Sequence, residues 1–149
     1  MAVTVKRITL WRGEVPNRAG ALAEVLEPLS AAGANLGVAM GYRLPGQPDR
    51  AVIEVAPVGG KKVEAAAAKA GLAASAIPTL LAVGDDKPGL GHAMSRAIAD
   101  AGINMSFLVA QAIGRKFTAI IGFESEADAA KAAPLVKKAK PAGRAGKKR

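Results

Sequence analysis

The sequence contains no cysteine, a single histidine and few aromatic residues. The absence of cysteine excludes disulfide bonds, thiolate nucleophiles and thiolate zinc sites. His92 therefore lacks the partners that a zinc ion, which normally takes four ligands, would need. One tryptophan, one tyrosine and three phenylalanines in 149 residues mean that the core must be built mainly from alanine, valine, leucine and isoleucine.

Long apolar runs are also missing. No segment of about 18 apolar residues occurs, as a membrane-spanning helix would require. The N-terminal stretch MAVTVKRITL carries charges among its apolar residues and lacks the uninterrupted apolar core of a secretion signal. The sequence therefore predicts a soluble cytoplasmic protein with no membrane partner, long enough for one ordinary domain or two very small ones.

Negative charge is missing from the C-terminal end. The formal net charge is +9, and seven positive residues lie there with no acid among them: Lys137, Lys138, Lys140, Arg144, Lys147, Lys148 and Arg149. Residues 137–149 have too little apolar surface to offset the entropy of ordering, so the sequence predicts a disordered basic tail. Two interpretations stay open: a solvated tail that aids solubility, and a tail with salt-sensitive, non-specific affinity for nucleic acid.

What is present is a repeated pattern. VKRITLW (5–11) predicts a strand, and the leucines and valine of ALAEVLEPL (21–29) are spaced as on one face of a helix. A hairpin (ANLGVAMGYRL and RAVIEVAPV), a second helix (KKVEAAAAKAG) and a short strand (LAASAI) follow. From residue 79 onward the same order of strand, helix, hairpin and helix begins again.

A shift of 69 residues aligns the two halves. The identical positions then include two glycines and an asparagine at predicted element boundaries: Gly20 with Gly89, Gly33 with Gly102, and Asn35 with Asn104. Duplicated units of this size indicate two copies of one small fold. We predict a first unit over residues 4–77 and a second over residues 78–136. The last strand of the second unit is predicted to be short or absent, because only Leu135 and Val136 offer strand residues there.

Both copies carry the same composite motif, in PNRAGALAEVLEPLSAAGANL (16–36) and DDKPGLGHAMSRAIADAGINM (85–105). A strand, Asp/Asn-x-Pro-Gly, an amphipathic helix, Ala-Gly-x-Asn and a hairpin together resemble the ACT domain. Ala19 departs from the usual proline. From about residue 4 to residue 136 the chain resembles the stand-alone tandem ACT proteins. The resemblance implies an α+β fold of two ferredoxin-like βαββαβ units in tandem, with antiparallel sheets and helices on one face. It also implies a regulator, without a cofactor, that binds amino acids between the units.

The loops that precede the two motif helices are the candidate ligand sites. The start of a helix offers unpaired N–H groups and a partial positive charge, which suit a carboxylate. The candidate residues are Asn17, Arg18, Ala19, Gly20 and Asn35 in the first unit, and Asp86, Lys87, Gly89, Asn104, Met105 and Ser106 in the second. A structural alternative stays open, in which Asn17 and Asp86 only cap their helices and the glycines only form turns.

The two loops differ in charge. Asp86 beside Asp85 would repel a ligand carboxylate and attract an ammonium, whereas Arg18 beside Asn17 would do the reverse. The sequence therefore predicts unequal sites.

Catalytic motifs are absent: there is no HExxH, no nucleophile elbow and no GxxxxGK[ST]. We therefore predict a protein that is not an enzyme and that binds an amino acid. Because small sheets leave unpaired edges, we also predict a homodimer. The alternatives are a nucleic-acid-associated protein that uses the basic tail, and a structural interaction module without a ligand.

Overall fold

The computed structural model describes residues 3–142, which form eight strands and four helices. The strands are β1 (Thr4–Ile8), β2 (Trp11–Pro16), β3 (Val38–Leu44), β4 (Gln47–Ala56), β5 (Ala73–Ala74), β6 (Thr79–Asp85), β7 (Met105–Ile113) and β8 (Lys116–Phe123). The helices are α1 (Ala21–Ala31), α2 (Lys61–Lys69), α3 (Leu90–Asp100) and α4 (Glu126–Lys138). None of the helices in residues 3–142 is long and apolar enough to cross a membrane.

The strands form two antiparallel four-stranded sheets, with the orders β3-β4-β2-β5 and β1-β6-β8-β7. Each order is that of a ferredoxin-like unit. The predicted α+β class with two ferredoxin-like units is therefore confirmed.

The chain order of the two units differs from a simple tandem. One unit is Thr9–Ala76, which we call the inserted unit. The other, the split unit, combines the chain up to Ile8 with the chain from Ile77 onward. The boundary between the units therefore differs from the predicted 4–77 and 78–136, because residues 4–8 belong with the second copy.

The first predicted strand, residues 5–11, is in fact parts of two strands. β1 pairs with β6 along five residues, from Thr4 opposite Val83 to Ile8 opposite Thr79. β2 begins only at Trp11 and pairs with β4 in the other sheet. Strand β1 takes the position of the last strand in the split unit. The missing strand therefore exists, but the N-terminal end of the chain supplies it.

Helix α4 extends further than the predicted ordered region. Ser125 caps it by accepting a hydrogen bond from the Asp128 amide at 3.1 Å. Acidic residues in its first turn, and Lys137 and Lys138 in its last turn, complement the helix dipole. The prediction that disorder begins at residue 137 is therefore wrong. Residues 143–149 of the predicted tail lie outside the described residues.

Each unit has its own core between its sheet and its two helices. The inserted unit buries residues of α1, of β4, and of α2 and the chain just after it: Val25, Leu29, Ile53, Val55, Ala67 and Leu72. The split unit buries both helices against β6 and β8, with Leu90, Met94, Ile98, Ala129, Ala132, Val136, Leu80, Phe117, Ile121 and Phe123 at its centre. These two cores hold the first turn of α1 and of α3 at the end of a strand.

Candidate functional site: the two strand-to-helix turns

The same backbone turn precedes α1 and α3. The amide of Ala21 donates to the carbonyl of Arg18 at 3.2 Å, and the amide of Leu90 donates to that of Lys87 at 3.1 Å. The third residue of each turn is a glycine with positive φ, 90° at Gly20 and 85° at Gly89. These angles are those of a type II β-turn, which requires glycine at that position. The paired glycines of the two motifs are therefore required by the backbone.

Each turn is tied to a hairpin of its own sheet. The amide of Asn17 donates to the carbonyl of Asp49 at 2.9 Å, and its side-chain Nδ2 donates to the carbonyl of Pro48 at 2.8 Å. In the other unit, the amide of Asp86 donates to the carbonyl of Arg115 at 2.8 Å. Gly20 and Gly89 occupy the N-cap positions, and neither helix has a side-chain cap. The alternative that Asn17 and Asp86 cap their helices is therefore wrong.

The arginine of the inserted unit's turn is already paired. Arg18 donates two hydrogen bonds to the Glu24 carboxylate, at 2.9 and 2.6 Å, across Gly20. These hydrogen bonds, followed by the attraction of opposite charges, lower the pKa of Glu24 and raise that of Arg18. Both side chains are more than half exposed. The positive charge predicted to attract a carboxylate is thus neutralised locally.

In the acidic pair of the split unit's turn, Asp85 and Asp86, the first carboxylate also has a partner. Asp85 ends β6 and accepts a hydrogen bond from Lys116 Nζ of β8 at 3.2 Å. This hydrogen bond is the main reason that the pKa of Asp85 lies below its ordinary value. Within residues 3–142 no ion pair is formed by Lys87. The lysine beside Gly89 is therefore in no ion pair within these residues, although its charge contributes to the lowered pKa of Asp85.

The split unit's turn also borders a cavity. The cavity has a volume of about 410 Å³ and is lined by Lys87, Pro88, Lys140, Pro141 and Ala142. The last three of these lining residues, 140–142, fall within the tail that the sequence predicts to be disordered. The available signal was the helical spacing of Ala129, Ala132 and Val136, which the structure buries on one face of α4.

The remaining candidate residues lie away from the two turns. Asn35 is exposed between α1 and β3, and the Asn104 side chain donates to Glu124 Oε2 at 3.3 Å. Met105 packs partly against the split unit's core, and Ser106 is exposed on β7. Each asparagine follows the C-terminal end of an 11-residue helix whose N-terminal end carries the turn. Since a helix rises about 1.5 Å per residue, roughly 16 Å separates the two ends within one unit.

A second polar cluster lies on the helix-free face of the inserted unit's sheet. Glu54 is only 3 % exposed, and its Oε2 accepts a hydrogen bond from the Tyr42 hydroxyl at 2.6 Å. Its Oε1 has no hydrogen-bond partner among the described residues. Arg12 lies opposite Glu54 in the register of β2 and β4. Burial, and then the hydrogen bond to Glu54, raise the pKa of Tyr42. The sequence analysis missed this cluster.

Solved structures with the same fold include regulatory subunits. The regulatory subunit of aspartate kinase from Thermus thermophilus aligns with a TM-score of 0.63 and 20 % identity, over 94 % of this chain and 98 % of that one. The corresponding subunit from Thermus flavus aligns with a TM-score of 0.57 and 19 % identity, over 91 % and 97 %. Protein BT0572 from Bacteroides thetaiotaomicron gives a TM-score of 0.70 and 14 % identity, over 90 % and 98 %.

At these identities the likeness shows the fold alone, in agreement with the two ferredoxin-like units. No protein-family model and no curated protein sequence matches this chain. Two of these three structures are regulatory subunits of aspartate kinase. Nearly the full length of each of those subunits aligns with this chain.

Proposed function

We propose that this protein is a regulatory sensor that binds an amino acid at its strand-to-helix turns and has no catalytic activity of its own. The observation that carries the proposal is the duplicated type II turn, which brings backbone amide groups to the surface at Gly20 and Gly89. Such a turn at the start of a helix suits the carboxylate of a small ligand. The fold shared with regulatory subunits of aspartate kinase supports the same function.

A thermal-shift screen of the full chain against the proteinogenic amino acids tests this proposal. A ligand at 100 times its dissociation constant stabilises a protein by about 2.7 kcal/mol, which raises the melting temperature measurably. We expect one amino acid, or a few related ones, to raise it. A panel in which no amino acid has an effect would contradict the proposal.

The alternative function through the basic C-terminal end is tested with short single-stranded and double-stranded nucleic acids in the same screen. Binding through lysine and arginine weakens steeply with salt. A salt-sensitive shift that disappears when residues 143–149 are removed, together with no amino-acid effect, would favour the nucleic-acid function. The cytoplasmic location stays a prediction.

We propose also that the protein forms a homodimer through β7. This nine-residue edge strand, MSFLVAQAI, carries no charge and exposes Leu108, Val109 and Ile113. The other sheet edges are protected, since β1 and β3 contain charged residues and β5 has two residues. Long uncharged edge strands pair readily with another chain.

Analytical ultracentrifugation tests this pairing. A lysine in place of Val109 would carry its charge into the paired edge, so Val109→Lys is expected to shift the protein towards monomer. Thr4→Lys on β1, at the opposite edge of the same sheet, is the matched control and should leave the dimer intact. A monomeric wild-type protein, or a dimer unaffected by Val109→Lys, would contradict the use of β7.

A further inference from the structure

The chain that follows α4 returns to the turn that precedes α3. Ala139 has an extended backbone and packs partly against the split unit's core. Two residues later Pro141 lies beside Gly89: a methyl group placed on Gly89 would meet the Pro141 Cβ at 3.5 Å, an ordinary contact distance. The segment is therefore anchored at Ala139 and reaches the turn at Pro141.

The cavity between this segment and the turn is positively charged. Among residues 3–142, its ionisable lining residues are Lys87, from the turn, and Lys140, from the C-terminal segment. No acidic residue in the described part of the chain lines it, and the neighbouring Asp85 is hydrogen-bonded to Lys116. Its volume of about 410 Å³ falls within the range of small-molecule sites, about 300–1,000 Å³.

We propose that Lys87 and Lys140 together hold an anionic group of a small ligand, a carboxylate or a phosphate, in this cavity. The C-terminal segment is then a wall of the binding site and supplies half of its charge. Two ammonium groups on one cavity repel each other, and a bound anion converts that repulsion into two attractions. This inference adds detail to the proposed function, and it rests on the proposal that the turn binds a ligand.

The turn of the inserted unit provides an internal comparison. Gly20 has the same backbone conformation, but the side-chain atoms nearest to it belong to Arg18 and Glu24, which are paired with each other. An anion at that turn would have to compete with the Glu24 carboxylate. The split unit's turn should therefore bind anions in preference to the inserted unit's turn.

The test is a titration of the ¹⁵N-labelled full chain with inorganic phosphate and, separately, with L-glutamate, followed at the amide signals of Gly89 and Gly20. The variants are Lys87→Gln and Lys140→Gln. Lys131→Gln, an exposed lysine in the middle of α4, is the matched control for net charge. We expect saturable shifts at Gly89, and dissociation constants about three- to tenfold weaker in each of the two variants but unchanged in the control.

Each other outcome has a definite meaning. No shift at Gly89 with either probe, or equal weakening by Lys131→Gln, would overturn the inference. An amino acid that stabilises the protein in the thermal screen but is indifferent to Lys140→Gln would leave the proposed function standing and overturn this inference alone. Phosphate binding that depends on both lysines, without any amino-acid effect, would support the anion site while contradicting the amino-acid sensor.

Discussion

The turns before α1 and α3 share a backbone and differ in chemistry. Gly20 and Gly89 adopt nearly the same left-handed conformation, and both turns are tied to the hairpin of their own sheet. At the inserted turn Arg18 is neutralised by Glu24, whereas alanine, at position 93, occupies the equivalent place in the split unit. The two copies thus share the geometry of the turn and differ in the charges around it.

The helix-free faces of the two sheets differ in the same way. In the inserted unit Glu54 lies between Arg12 and Met40 in the strand register. In the split unit Ile120 lies between Leu81 and Val109. A buried carboxylate in one copy is replaced by an apolar contact in the other. The two copies therefore share a fold but differ in the chemistry of their helix-free sheet faces.

The strongest test of the shared backbone is to replace each turn glycine with alanine. Gly20→Ala and Gly89→Ala each force a side chain into the left-handed region, at a cost of about 1–2 kcal/mol. Neither added methyl group meets an atom closer than 3.5 Å, so the two costs should be alike. Chemical denaturation measures both. A neutral effect at one glycine would mean that the two turns are not equivalent.

Tyr42→Phe tests the difference between the helix-free faces of the two sheets. This change removes the donor to the buried Glu54 Oε2 and is expected to lower the free energy of unfolding by about 1 kcal/mol. Gln111→Leu, at the equivalent position of the split unit, removes no such donor and should be nearly neutral. Equal effects of the two changes on the denaturation midpoint would contradict a polar cluster specific to the inserted unit.

The same cluster is expected to affect the ionisation of the only tyrosine. Absorbance of the phenolate should report a pKa of Tyr42 above the ordinary value of 10.0, and Glu54→Gln should bring it down. Since the folded-state pKa is raised, the stability that Tyr42 contributes is present below pH 10 and is lost as the pH rises through the folded-state pKa. An unshifted titration in the wild-type protein would contradict the Tyr42–Glu54 contact.

The smallest expected effect concerns the ion pair of the inserted turn. Arg18→Gln should raise the pKa of Glu24 towards its ordinary value of 4.5, as measured from carboxyl signals by NMR. Because the folded-state pKa is lowered, the contribution of Glu24 to stability is present above its unfolded-state pKa and is lost as the pH falls through the folded-state pKa. Both residues are exposed, so the stability at neutral pH should change little. A Glu24 titration that is the same in the variant would show that the pair does not form in solution.

The repeat, the helices and the glycine turns could be predicted because their signals are local. The pairing of β1 with β6 could not, because the residues of a strand do not specify a partner more than seventy positions away. The only indication was that Val5, Ile8 and Leu10 do not alternate with a period of two, as a single strand would require. The separation of Gly20 from Asn35, in contrast, follows from the length of α1 and was predictable.

The charges of the site were harder to predict than its backbone. Arg18 and Glu24 are six residues apart, and only the turn at Gly20 brings their side chains together. Lys140 lines the same cavity as Lys87 because α4 continues to Lys138 instead of ending before the basic residues. Side-chain partners across a turn depend on its exact geometry, which residue types alone do not specify.

The most direct test of the sensor function is a titration of the ¹⁵N-labelled full chain with each proteinogenic amino acid, comparing the amide signals of Gly20 and Gly89. We predict that at least one amino acid gives a saturable shift, larger at Gly89 than at Gly20, because only the split unit's turn keeps an unpaired cation beside it among the described residues. Signals that stay fixed at both glycines for every amino acid would contradict the account.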